Sequence, residues 1–181
     1  MRTTPLFLIL TAFVAGCSGK PSAPALTSDE EYYDSNAGIR FPTPPGFRMF
    51  IKAEMPKGKI DKPIMLAAFQ DTKAKIRTAI EVMAVDISDS QDLGQYLKTN
   101  PVGSEKWETK PPAQSIEVGG QPAVRLEYVY HDEDRDHARE VTAVRWGGRA
   151  YFVIVIYPPD NPAARDAGRA MLDKVRWMSH D

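Results

Sequence analysis

Along most of the chain, apolar and polar positions alternate with a period of two, the spacing of a strand with one buried face. The pattern is clearest over 123–131, where Val124, Leu126, Tyr128 and Tyr130 fall on one side and Arg125 and Glu127 on the other. Residues 76–87 read as a longer strand, with Ile76, Thr78, Ile80, Val82 and Ala84 in one row. Shorter runs predict strands at 39–41, 48–52, 64–70 and 114–118, and 139–146 is expected to pair back on 123–131. Gly119-Gly120 and Gly147-Gly148 supply two-residue hairpin turns, whose backbone needs positive φ. Residues 150–157 break the alternation: Tyr151, Val153 and Val155 face one way, Phe152, Ile154 and Ile156 the other. A strand apolar on both faces must be covered on both, so this one is expected at the centre of the sheet.

Two segments carry helical spacing. In 88–99, Leu93, Tyr96 and Leu97 make the apolar stripe, Asp89 or Ser90 is the expected N-cap, and Pro101 and Gly103 close the element. Near the C-terminus, Asn161 is the expected cap, Pro162 the first helical residue, and Ala164, Ala167, Met171 and Val175 the buried stripe. Residues 55–63 hold two prolines, a glycine and four charges, and read as a loop. Hairpin-linked strands with two helices far apart predict an α+β domain on an antiparallel sheet.

The first 16 residues stand outside this pattern. Met1-Arg2 gives a positive start, and the apolar run of nine residues at 6–14 is interrupted only by Thr11. Such a run is too short for a membrane span, which needs about 20 residues, and suits the core of a signal peptide. Val14-Ala15-Gly16-Cys17 resembles the bacterial lipobox, in which small residues precede a cysteine whose thiol takes lipid, palmitate included, and becomes the mature N-terminus. The competing reading is a plain secretory signal with Cys17 incidental. The resemblance implies permanent anchoring, since such cysteines carry two or three acyl chains, each buried methylene contributing about 0.8 kcal/mol. Ser18 in place of Asp would, in enteric bacteria, favour the outer membrane. Residues 17–36 then form the lipidated cysteine and a flexible Ser/Pro/Ala/Gly tether, with Tyr32 and Tyr33 able to dock, and 37–181 form one domain.

Composition narrows this further. The 181 residues carry a net charge of -1 and one cysteine. That excludes an internal disulfide, a CxxC pair and a multi-cysteine metal site, and gives no reason to expect nucleic acid. Charge is uneven along the chain: 48–77 holds eight basic and three acidic residues, and 127–140 six acidic and two basic. The basic part could rest on anionic headgroups or meet an acidic partner; otherwise both are solvated faces.

Several phrases together resemble the PsbP/DcrB-like family. They are Gly38-Ile39-Arg40-Phe41 with Pro45-Gly46-Phe47, and Gly119-Gly120-Gln121-Pro122-Ala123-Val124-Arg125. Arg149-Ala150-Tyr151 leading into Tyr157-Pro158, and the helix at 163–177, complete the likeness over about 37–178. The family spans a photosystem II extrinsic subunit, envelope lipoproteins and a Ran-binding nuclear factor. The resemblance implies a three-layer α/β/α sandwich, an antiparallel sheet with helices on both faces. Phe47 departs from the tryptophan common there. Members share a fold and not a site, so no functional residue carries over.

Candidate chemistry centres on 131–137. Asp132, Asp134 and Asp136 are oxygen donors suited to a hard cation, and His131 with His137 could take zinc beside a carboxylate. The EF-hand spacing fails, with His137 where glycine is needed and Ala143 where the bidentate glutamate is needed. The competing reading is a solvated hairpin tip whose charges block edge aggregation. Trp107, Trp146, Trp177 and Tyr128 read as core or interface residues. No G-x-S-x-G, H-E-x-x-H or G-x-x-x-x-G-K-[ST] occurs. The expectation is a non-catalytic envelope lipoprotein with a membrane-associated protein partner and no cofactor beyond the lipid on Cys17. A divalent-cation module at 131–137 is the alternative, and an undetected hydrolase the second alternative.

Overall fold

The computed structural model describes residues 31–74, 78–100, 108–131 and 136–178. In chain order the elements are β1 (Glu31–Asp34), β2 (Ile39–Pro42), β3 (Phe47–Lys52), β4 (Ile64–Asp71), β5 (Ala79–Asp86), α1 (Leu93–Thr99) and β6 (Glu108–Val118). They continue with β7 (Gln121–His131), β8 (Asp136–Trp146), β9 (Arg149–Tyr157), α2 (Ala163–Leu172) and β10 (Arg176–Trp177). Seven strands form an antiparallel sheet in the order β3-β4-β5-β9-β8-β7-β6, and three form a small sheet in the order β1-β2-β10. The fold is the α+β sandwich expected, with one helix on each face of the large sheet.

β9 sits at the middle of the seven, as its two apolar faces require. Tyr151, Val153, Val155 and Tyr157 join the cluster under α2 and the small sheet. Ala150, Phe152 and Ile154 join the cluster under α1. Burying a side chain such as Phe152 contributes roughly 1.5–3 kcal/mol. The alternation of β7 holds as read: Leu126 and Tyr128 are buried on the α1 face, while Arg125 and Glu127 lie on the other.

Both helices start later than the sequence suggested. Asp92, not Asp89 or Ser90, caps α1: its Oδ1 accepts from Gln95 N at 2.6 Å. Ser88 and Gln91 instead close a turn through Gln91 N and Ser88 O at 3.0 Å. Leu93 and Leu97 are buried as expected, and Tyr96 stacks on Phe152 with centroids 5.6 Å apart. Pro101 and Gly103 lie outside the described residues. In α2, Pro162 is the cap position, and Asn161 Oδ1 accepts from Ala163 N at 3.3 Å. Its buried stripe is Ala164, Gly168, Met171 and Leu172; Ala167 is half-buried and Val175 lies beyond the helix. Gly168 is there because a Cβ would stand 2.5 Å from Val155 Cγ2.

The stretch assigned to the tether contains β1, so the fold begins no later than Glu31. Tyr32 is fully buried and stacks on Phe41 at 4.8 Å, while Tyr33 points outward. Asp34 is buried and closes the chain around itself. Its Oδ1 accepts from Asn36 N at 2.7 Å and Ala37 N at 2.9 Å, and its Oδ2 from Met55 N at 2.6 Å. Asp86 fixes the far side of the same loop, accepting from Ile60 N at 2.7 Å and Arg149 Nε at 2.9 Å. Met55 and Ile60 are the loop's buried apolar anchors.

Candidate functional site

β10 reaches β2 only because α2 carries the chain back across the large sheet. Its two residues pair as Arg176↔Arg40 and Trp177↔Ile39. On the other side of β2, Tyr33 pairs with Arg40 and Glu31 with Pro42. Side chains directly paired across strands share a face. The outward face of the small sheet therefore carries the row Tyr33, Arg40, Arg176, with Glu31 beside it. Its inward face carries Tyr32, Ile39, Phe41 and Trp177.

A groove of about 770 Å³ opens beside this face, toward β10 and the turn after α2. Its charged rim is Glu31, Arg40, Asp173, Lys174 and Arg176, and its apolar wall is Pro42, Val175, Trp177 and Met178. The wall is fixed by Trp177, whose indole lies 5.9 Å from that of Trp146 and 5.4 Å from the Tyr151 ring. Its Nε1 donates to Val118 O at 2.9 Å. Gly119, with φ 56°, closes the end of the groove, where a Cβ would meet Trp177 Nε1 at 2.8 Å and Val175 O at 2.9 Å. Arg40 grips Glu31 with both nitrogens of one fork, Nη2 to Oε2 at 2.7 Å and Nε to Oε1. That hydrogen bond holds the Glu31 carboxyl below its usual range, with the charges of Arg40 and Arg176 acting in the same direction.

A second hollow of about 580 Å³ lies between the turn before α1 and the β6–β7 hairpin. The guanidinium of Arg145 on its border is engaged with the backbone, donating to Ser88 O at 2.8 Å and to Gln91 O.

The buried carboxylates are equally engaged. Asp34 is saturated as described above. Glu140, 1% exposed, lies under α2 between two guanidiniums: Arg169 Nε at 3.0 Å from Oε1, and Arg125 Nε at 3.3 Å from Oε1. Glu127 adds a longer contact to Arg169 at 3.6 Å. On the opposite face Arg139 is buried 5.8 Å from the Tyr128 ring centre, and burial pulls its pKa down.

The residues singled out from sequence are scattered. Cys17, Asp132, Asp134 and Trp107 lie outside the described residues. His131 Nδ1 meets Asp136 Oδ1 at 2.7 Å across the hairpin, whereas His137 lies against Tyr130, centroids 5.9 Å apart, on the other face. The two histidines therefore do not converge, and no cluster of three metal-binding side chains occurs among the described residues. Trp146, Trp177 and Tyr128 are packing residues, as read. The basic stretch 48–77 does not form one face. Lys57, Lys59 and Lys62 sit in the β3–β4 loop, while Lys73 sits in the β4–β5 turn, at the same end of the sheet as the His131–Asp136 pair. The Tyr33–Arg40–Arg176 row was invisible in sequence, because it depends on pairing between residues at opposite ends of the chain.

Residues 64–176 match the family model described as "Serine/threonine kinase C-terminal domain". Among solved structures, the fold is similar to LpqN of Mycobacterium tuberculosis, described as involved in cell envelope biogenesis. That likeness has a TM-score of 0.57 at 12% identity, covering 78% of this chain and 83% of that one. It is also similar to the cyanobacterial PsbP, CyanoP, of Synechocystis sp. PCC 6803, with a TM-score of 0.54 at 16% identity, covering 91% and 98%. At such identities the likeness is one of fold, and the fold is PsbP-like. The search of curated proteins gave no match.

Proposed function

Because the chain belongs to the serine/threonine kinase C-terminal domain family, we propose that it is a non-catalytic binding module carried on a lipid anchor in the cell envelope. The family's name attaches such a domain to a kinase. These 181 residues contain neither an H-R-D nor a D-F-G motif. The observation that carries the anchor is Cys17, the chain's single cysteine, placed directly after an apolar run and Val14-Ala15-Gly16.

The buried carboxylates give no support to an acid–base site. General acid–base chemistry needs a carboxyl that a substrate can approach. Asp34 and Glu140, the buried ones among the described residues, are each enclosed by their own donors. The envelope setting accords with the involvement of LpqN in cell envelope biogenesis, and no described helix is long and apolar enough to cross a membrane. Partnership with an envelope protein remains part of the proposal.

Fractionation tests the anchor. Cys17→Ser should move the protein from the membrane to the soluble fraction, and a variant that still sediments with membranes overturns the reading. A cation module at 131–137 is the second reading, resting on the His131–Asp136 contact. Calorimetry with calcium, zinc and manganese decides it: no heat, or heat unchanged in Asp136→Ala, removes it.

A further inference from the structure

We propose that the outward face of the small sheet is the surface through which the domain rests on an anionic phospholipid membrane. The proposal rests on the lipid-anchor reading for its setting, but the face is defined by the fold alone.

Three observations converge on it. First, Arg40 and Arg176 stand directly opposite each other on neighbouring strands. Like charges in that position repel, and the glutamate on this face, Glu31, stands on β1, beyond Arg40, which grips it. Lys174 adds a third cation on the same rim, against Asp173. The row is therefore short of negative charge, and phosphate groups supply it. Second, Tyr33 continues the row and is 55% exposed, the one large apolar side chain so exposed among the described residues. A tyrosine has an apolar ring and a polar tip, the combination that settles at the headgroup level of a bilayer. Third, the anchor brings this face to the membrane. Glu31, on the rim, is fourteen residues from Cys17. That span reaches about 48 Å when extended and about 20 Å as a coil. At the coil distance the rim lies within roughly two Debye lengths of the lipid surface.

An anionic membrane is favoured over an acidic protein because the row is short and stands at the start of β1, on the side from which the chain leads back to Cys17. Each basic residue near an anionic surface contributes about 1 kcal/mol, so at low salt the face holds the domain weakly by itself, and the lipid makes the attachment lasting.

Vesicle sedimentation tests this with the chain from Ser18 onward, which retains every described element and removes both the anchor and the apolar leader. The protein should sediment with phosphatidylcholine–phosphatidylglycerol vesicles at low salt, remain in solution with phosphatidylcholine alone, and be released as salt is raised. Lys174→Glu and Arg176→Glu should each weaken binding by at least roughly fivefold, and Tyr33→Ser by less. Unchanged circular dichroism shows that these exposed substitutions leave the fold intact. Equal binding to neutral vesicles, no binding to anionic ones, or full binding by the Lys174→Glu/Arg176→Glu double variant overturns the proposal. Capture by polyglutamate without binding to vesicles overturns it in favour of an acidic protein partner. Because Cys17 is absent from this protein, these outcomes are independent of whether Cys17→Ser releases the full chain from membranes.

Discussion

Two places among the described residues set one glutamate near two arginines, and burial makes them different devices. Under α2, Glu140 is 1% exposed and held by Arg169 and Arg125, whose side chains are 34% and 16% exposed. On the small sheet, Glu31 and Arg40 are 37% and 50% exposed, and Arg176 lies open beside them. In the first cluster both cations are committed to the carboxylate, and nothing outside can reach it. In the second, water and solutes reach all three charges, and one arginine remains available. A buried ion pair is costly to break, while an exposed one contributes little. The inner cluster therefore locates α2 on the sheet, and the outer one is free to meet a partner.

The largest effect should come from Glu140→Ala. It leaves Arg125 facing Thr142 without its counter-ion and frees Arg169 to swing outward. The stability loss should be about 3 kcal/mol, the low end for a broken buried pair because Arg169 can reach water; urea denaturation measures it. A loss under about 1 kcal/mol would mean that the inner cluster behaves like a surface pair. Next is Gly168→Ala, one residue from Arg169. Its Cβ collides with Val155, which lies in the central strand and cannot yield, so α2 must lift. Overpacking of this kind costs about 1–3 kcal/mol, offset by up to about 1 kcal/mol of helix propensity. The Glu140–Arg169 contact should loosen with it, so the two substitutions combined should cost less than their sum.

How much of this was legible in the sequence follows from how local each signal is. β9 announced its central place through Phe152, Ile154 and Ile156 standing opposite Tyr151, Val153 and Val155. The Gly119-Gly120 and Gly147-Gly148 turns were equally plain. The helix starts were misplaced because Asp89, Ser90 and Asp92 are all competent caps, and packing of Leu93 and Leu97 on the sheet decides among them. β1 is not legible as a strand because four residues carry no period worth reading; Tyr32 is buried only once β2 and the 53–63 loop close over it. Both Glu–Arg clusters were missed for one reason. Glu31 and Arg40 are nine residues apart but meet only through strand register, and Arg176 and Arg169 arrive from the far end of the chain. The charge blocks that were visible, at 48–77 and 127–140, are divided by the fold between loops and strands.

The pH scale separates exposed from buried groups. Burial raises the phenols of Tyr32, Tyr128 and Tyr151 above their ordinary value near 10. A group whose folded pKa is raised stabilises fully below its unfolded value and loses that contribution as pH climbs toward the folded one. The protein should therefore weaken above pH 10, and Tyr32→Phe should blunt the decline; an unchanged alkaline limb in that variant would place the effect elsewhere. Glu31 works at the other end. Its folded pKa is lowered by the hydrogen bond from Arg40, so its contribution is present above the ordinary carboxyl range and is lost as pH falls through the folded value.

That contribution is small, because the pair is solvated and screened by salt, and its smallness sharpens the contrast with Glu140. Glu31→Gln should leave the thermal midpoint within error of the parent. It should also release Arg40, so that three cations face outward where two did before. Binding to anionic vesicles should then rise by roughly fivefold. A substitution that is silent in stability yet strengthens membrane binding marks a cluster kept for contact with the outside. If Glu31→Gln instead destabilised the protein as Glu140→Ala does, the outer cluster would be a second structural clamp and the distinction between the two would fall.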